Sequence, residues 1–167
     1  MAKVLQNTRY NMNILQLINE PWDSAITEYG IVQAKKLKER GHQVLVAGLK
    51  DTYPLRKAES LGLETCSLDL NTYNPIRLWQ TIRRLRQILL SYQIETINCL
   101  RSEGFWLGFL ASQRLRIKII RTRGDARPTH NNYFNRKMYN HWGDFVILSS
   151  KVAQDKYFEF ELKNKEI

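Results

Sequence analysis

The chain has 167 residues, the length of one ordinary domain, and its 43% hydrophobic and 11% aromatic content excludes a disordered segment. Two cysteines, Cys66 and Cys99, give neither a metal motif nor a disulfide framework, and no stretch is apolar over the about 20 residues a membrane span requires. The net charge of +10 is local rather than general: residues 74–127 hold eleven Lys/Arg against three Asp/Glu, while residues 1–73 hold nine against eight and residues 128–167 six against five. A field concentrated in the middle third points to an anionic partner.

Residues 1–12 are polar and lack the apolar middle of a signal peptide, so they read as a tail before the fold, and a cytoplasmic location is expected. The short apolar run 13–18 is a strand. Pro21 breaks regularity after it, and Ser24 can cap a helix over 25–40, where Ile26, Tyr29, Val32 and Leu37 recur among charged residues before Gly41 ends it. A second strand covers 43–48. A helix over about 54–61 stops at Gly62, and 63–68 is the third strand. Asn74-Pro75, a cap followed by proline at the first helical position, opens a long helix to about Tyr92. The fourth strand spans 95–100, an apolar helix about 104–114, and the fifth strand 117–121. A polar loop with Gly124 and Pro128 leads to a helix at about 131–141, then a sixth strand at 145–148. Ser149 or Ser150 caps a last helix to about 163.

Six alternations of strand and helix predict an α/β fold, a Rossmann-like doubly wound parallel sheet of about six strands with helices on both faces. Right-handed crossovers in the order 3-2-1-4-5-6 place the ligand crevice outside the C-terminal ends of strands one and four.

The residues at that edge are informative. The first βα turn, Asn19 to Ala25, has no glycine, and no Gly-x-x-x-x-Gly-Lys-Ser/Thr occurs. This argues against a dinucleotide enzyme and a P-loop nucleotidase. Trp22, Asp23 and Ser24 are nonetheless placed to touch a ligand; equally, they are ordinary loop residues with Trp22 folded onto the surface. Strand four ends in Arg101-Ser102-Glu103-Gly104, where a helix N-terminus and a guanidinium suit phosphate or carboxylate; equally, Ser102 is a cap and Arg101 pairs with Glu103. Strand five ends in Arg121, Arg123 and Arg127, spaced by two and by four, with Asp125 among them to bind sugar hydroxyls, act as a base or pair with Arg127. Arg101, Arg121, Arg123 and Arg127 are expected to line one crevice with Trp22 and Asp23. On the long helix, Trp79, Arg83 and Arg86 share a face suited to an anionic membrane surface, or form a solvated basic face. His42, His130 and His141 have no ligand spacing, so no metal site is expected, and no catalytic residue emerges from spacing.

The ordered set Asn13–Ile18, Arg40-Gly41-His42-x-Val44, Leu61-Gly62-Leu63, Asn74-Pro75 and Asp144–Ser150 resembles the N-terminal part of group 1 (family 4) glycosyltransferases of the GT-B fold, over about residues 12–163. The resemblance implies two Rossmann-like domains facing a cleft. The N-terminal one takes the acceptor, an envelope glycan or lipid-linked molecule, and the C-terminal one takes the nucleotide-sugar. Residues 13–167 would be the acceptor-side domain, with the donor domain absent, so the chain alone is expected to be inactive. No cofactor is implied beyond the nucleotide-sugar substrate. Two departures stand out. Ser24-Ala25-Ile26 occupies the place of paired glycines in many relatives, and Arg123-Gly124 that of a His-Gly pair, so no catalytic histidine is carried over. The competing readings are a basic nucleic-acid- or anion-binding domain without catalysis and a self-contained small-molecule enzyme. Against the first, the sequence has no RNA-binding aromatic signature and no helix-turn-helix. Against the second, it has no phosphate loop.

Overall fold

The computed structural model of the chain describes residues 11–124 and 128–148. Six strands, β1 (Asn13–Ile18), β2 (Gln43–Gly48), β3 (Glu64–Ser67), β4 (Thr96–Cys99), β5 (Lys118–Arg123) and β6 (Phe145–Leu148), form one sheet in the order β3-β2-β1-β4-β5-β6. Every pairing is parallel. The helices are α1 (Ala25–Glu39), α2 (Tyr53–Ser60), α3 (Pro75–Ser91), α4 (Ser102–Ala111) and α5 (Tyr133–Lys137), the last running into a π turn at Met138–Trp142.

The local signals explain the boundaries. The Ser24 side chain accepts the Thr27 amide and starts α1, and Gly41 (φ 97°) ends it in the left-handed region that glycine tolerates. Asn74 caps α3 through the amides of Ile76 and Arg77, with Pro75 at the first position. His42 is structural: its Nδ1 accepts the Met12 amide at 3.2 Å.

The sheet divides the core. On one face Leu15, Leu17, Ile97, Cys99 and Ile119 pack with residues of α3, α4 and the π turn, among them Leu85, Leu89, Phe105, Leu107 and Tyr139. On the other, Ile14, Ile18, Val44 and Val46 pack with α1 and α2 through Ile31, Ala34, Leu55 and Ala58. The second face also buries polar side chains on the central strands. Asn98 Nδ2 donates to Gln16 Oε1 (3.0 Å) and to Gln33 Oε1 (2.7 Å). Thr122 Oγ1 donates to Asn98 Oδ1 (2.7 Å), and Gln16 Nε2 reaches the Gly30 carbonyl (3.3 Å) and Gln33 Oε1 (3.1 Å).

Three expectations are corrected. Helix α4 begins at Ser102 rather than 104, with Arg101 at the cap position. Strand β5 continues through Arg123, because ladder pairing of Thr122 with Ile147 and Arg123 with Leu148 carries it past Arg121. The single helix at 131–141 is a short α-helix followed by the π turn. The last helix and its cap at Ser149 or Ser150 lie outside the described residues. No helix among the described residues is long and apolar enough to cross a membrane.

Candidate functional site

The order β3-β2-β1-β4-β5-β6 reverses direction between β1 and β4, and a parallel sheet leaves a crevice there at the strands' C-terminal ends. The crevice encloses about 380 Å³, and its walls include Glu20, Ser24, Arg101, Ser102, Glu103 and Arg121. Two helix N-termini open into it, those of α1 and α4. Both bring partial positive charge, and α4 has no side-chain cap.

Its two arginines differ. Arg101 is half-exposed and paired: Nη1 lies 2.8 Å from Glu20 Oε1, and Nε 3.7 Å from Glu103 Oε2. The Arg101–Glu103 contact anticipated from sequence is therefore present, but the shorter partner is Glu20, which the sequence did not single out. Arg121 is only 6% exposed. Its Nη1 donates to the Cys99 carbonyl (3.1 Å) and to the Thr122 carbonyl, and its Nε has no hydrogen-bond partner. No carboxylate among the described residues forms an ion pair with it. Burial lowers its pKa from the ordinary arginine value, and the Tyr139 hydroxyl works the other way. Among the described residues, this buried guanidinium is held by carbonyls, faces a cavity and has no carboxylate as counterion.

A second recess of about 280 Å³ adjoins the first and shares Glu20, Arg101 and Glu103 with it. Asn19, Pro21, Trp22, Asn71 and Tyr73 complete its walls. Trp22 and Tyr73 are 59% and 88% exposed. The Asn71 amide donates to the Asn19 carbonyl (3.0 Å) and accepts from Asn19 Nδ2 (3.1 Å). Asn71 and Tyr73 also escaped the sequence reading. They follow β3, and the signal that could have found them is that this loop opens on the same sheet edge as the loops after β1 and β4.

The structure thus brings Ser24, Arg101, Ser102, Glu103 and Arg121 together and sets Trp22 in the neighbouring recess. It does not gather the rest of the predicted set. Asp23 is exposed and lines neither recess. Arg123 lies two residues beyond Arg121 along the same strand and reaches over the Tyr139 ring (6.0 Å). It lines a smaller pocket with Ile26, Tyr29 and Ile147. The single crevice of four arginines is corrected accordingly. Asp125 and Arg127 lie outside the described residues.

On α3, Trp79 is exposed with the Arg83 guanidinium stacked over it at 4.5 Å. Arg86 departs from the predicted membrane-facing trio. Its Nη1 donates to the carbonyls of Ala111 (2.9 Å) and Gln113 (2.8 Å), so it closes the C-terminus of α4. Neither thiol is activated, since burial pushes Cys66 up to about 11 and Cys99 up to about 12. Among the described residues no cluster of His, Cys, Asp or Glu could hold a metal ion.

No protein-family model and no curated protein matches the sequence. Solved structures match it in fold. A glycosyltransferase from Rickettsia africae ESF-5 aligns with a TM-score of 0.72 at 19% identity, over 87% of this chain and 38% of that one. Anabaena Alr3699/HepE, in complex with UDP and glucose, aligns with a TM-score of 0.68 at 18% identity, over 88% and 40%. The UDP-GlcNAc 2-epimerase of Methanocaldococcus jannaschii aligns with a TM-score of 0.56 at 14% identity, over 88% and 41%. The chain spans about two fifths of the length of these structures. It has the Rossmann-like fold of one half of a GT-B glycosyltransferase, an architecture it shares with half of the epimerase.

Proposed function

We propose that the chain is the acceptor-binding half of a glycosyltransferase, which moves a sugar from a nucleotide-sugar to an envelope glycan or a lipid-linked acceptor. The observation that carries this reading is Arg121, a buried cation with no carboxylate partner among the described residues, in the crevice where the N-termini of α1 and α4 converge. An anion there would meet one fixed guanidinium, two helix N-termini and the fork of Arg101. In this reading the crevice holds the anionic part of the acceptor or donor. The chain's contribution to transfer is to hold one reactant in a fixed geometry against the other.

The site for the acceptor fits a membrane surface nearby. Helix α3 carries Arg77, Arg83, Arg84 and Arg86 with no acidic residue, and it exposes Ile76, Trp79 and Leu90. Trp79 and Arg83 are the pair we assign to an anionic bilayer at the cytoplasmic side. A nucleic-acid track is less well supported, because Arg86 is spent on the carbonyls of Ala111 and Gln113 and Arg123 lies over the Tyr139 ring.

Isothermal titration with inorganic phosphate and a panel of nucleotide-sugars tests the crevice. Binding of at least one of them is expected, weakened about tenfold or more by Arg121→Gln through the loss of a charged hydrogen bond. No binding, or unchanged binding by the variant, removes the reading. The acceptor assignment is tested in the host: deleting the gene should remove a sugar from the envelope glycan profile, and an unchanged profile overturns it.

A further inference from the structure

The two recesses meet along the wall made by Glu20, Arg101 and Glu103, but their outer ends have opposite chemistry. The Arg121 end adds a buried cation and two helix N-termini to the carboxylates of the shared wall. The Trp22 end offers two aromatic side chains that little else covers, with an amide floor.

The hydrogen bonds on that floor fix its polarity. Asn71 Nδ2 donates to the Asn19 carbonyl, so Asn71 Oδ1 is the acceptor facing Asn19. Asn19 must then present Nδ2 to it, which leaves Asn19 Oδ1 as a buried oxygen without a hydrogen-bond partner. Asn19 is only 1% exposed. An unpartnered acceptor this deep signals a donor still to come. The carboxylates of Glu20 and Glu103 line the same recess, and Arg101 leaves part of their capacity unused. The floor and shared wall therefore accept hydrogen bonds far more than they donate them. That recess suits a ligand rich in hydroxyl donors. A nucleobase would stack on the same aromatics, but its ring edge carries more acceptors than this wall can serve. A pyranose has hydroxyls around its rim and an apolar C–H face to lay on an indole or phenol ring.

We propose that the two recesses form one bipartite site for a phosphorylated saccharide, with the phosphate between Arg121, Arg101 and the N-terminus of α4 and the sugar ring between Trp22 and Tyr73. The inference rests on the reading of the crevice as an anion site and specifies what the anion is attached to. Arg101 belongs to both halves, so it sets the distance between phosphate and ring. A ligand that carries only one of the two groups fills half the site.

Titration of the whole chain separates the possibilities. The probes are glucose 1-phosphate, glucose 6-phosphate and N-acetylglucosamine 1-phosphate, set against inorganic phosphate, free glucose and uridine 5′-monophosphate. At least one sugar phosphate should bind about tenfold or more tighter than both phosphate and glucose. Replacing both aromatic walls, Trp22→Ala with Tyr73→Ala, should bring that affinity down to the level of inorganic phosphate. Both side chains are exposed, so circular dichroism should show the variant folded. Phosphate binding with no gain from any sugar overturns the bipartite site and leaves the anion crevice standing. Tighter binding of uridine 5′-monophosphate assigns the recess to a base and also overturns it. No binding by any phosphate overturns both readings.

Discussion

Two places in this molecule bury polar side chains beside the central strands, and they are finished differently. Within the sheet, Gln16, Asn98 and Thr122 on β1, β4 and β5 meet Gln33 of α1, and their amides and hydroxyl satisfy one another. At the sheet's C-terminal edge, Asn19 Oδ1 and Arg121 Nε are buried without hydrogen-bond partners. Buried polar groups ordinarily find partners, and one left over costs about 1–3 kcal/mol. The network needs nothing from outside the fold. The crevice retains groups that the fold leaves open. Unsatisfied groups at that edge, rather than the charge of the chain as a whole, are the physical ground on which the proposed site rests.

Breaking the network should have the largest effect. Asn98→Leu removes the centre of the cluster and strands Gln16 Oε1 and the Thr122 hydroxyl in a dry interior. Urea denaturation should show a loss of roughly 3 kcal/mol or more, since several buried groups lose partners together. A loss below about 1 kcal/mol would mean that water already serves these groups and that the two regions do not differ. The mirror experiment is Arg121→Met. It gives up two bonds to carbonyls and the Tyr139 hydroxyl, but also removes a desolvated charge that has no carboxylate partner among the described residues. Stability should stay within about 1 kcal/mol of the parent or rise, while affinity for inorganic phosphate drops about tenfold or more. A protein destabilised as much as the Asn98 variant would place Arg121 with the structural polar groups. At the surface, replacing Trp79 and Arg83 with Ser and Gln should reduce sedimentation with phosphatidylglycerol vesicles severalfold, and salt should do the same to the parent. Equal binding to neutral vesicles would assign α3 to solvent.

The architecture was open to sequence reasoning because its signals are local. Ser24 and Gly41 bracket α1, Asn74-Pro75 opens α3, and short apolar runs mark the strands. The switch point follows once the common order 3-2-1-4-5-6 is added to alternation and crossover handedness. The site was legible only in part. Arg101, Ser102 and Arg121 stand where the argument sent them, because strand ends are visible in a sequence. The extent of β5 was not, since four charged residues in the seven of 121–127 look like a loop unless β6 is known to pair with the first of them. Arg86 resembled its exposed neighbours on α3, and only the carbonyls of Ala111 and Gln113 reveal it as a helix stop. Asn71 and Tyr73 join Trp22 across about fifty residues of sequence, a proximity that no periodicity encodes.

The smallest effect tests how dry the crevice side of the sheet is, through Cys99. This residue follows Asn98 on β4 but faces the opposite, apolar side; its carbonyl holds Arg121, and its thiol lies 3.6 Å from the Gly104 carbonyl. Burial raises its pKa from an ordinary 9.0 to about 12, with Arg121 pulling weakly the other way. The native thiol therefore keeps its proton where the unfolded one has released it. Around and above pH 9 the unfolded state binds fewer protons than the native state, so stability falls as pH rises, and well below pH 9 the group contributes little slope. Between pH 9 and 10 this amounts to about 1 kcal/mol for one such thiol. Urea melts of the parent and of Cys99→Ala at pH 8, 9 and 10 isolate the effect, because Cys66, raised to about 11, remains in both proteins. The alanine variant should start less stable at pH 8 for lack of the sulfur and lose less between pH 9 and 10. Parallel pH profiles would mean that water reaches Cys99. The Arg121 guanidinium would then be hydrated rather than waiting for an anion.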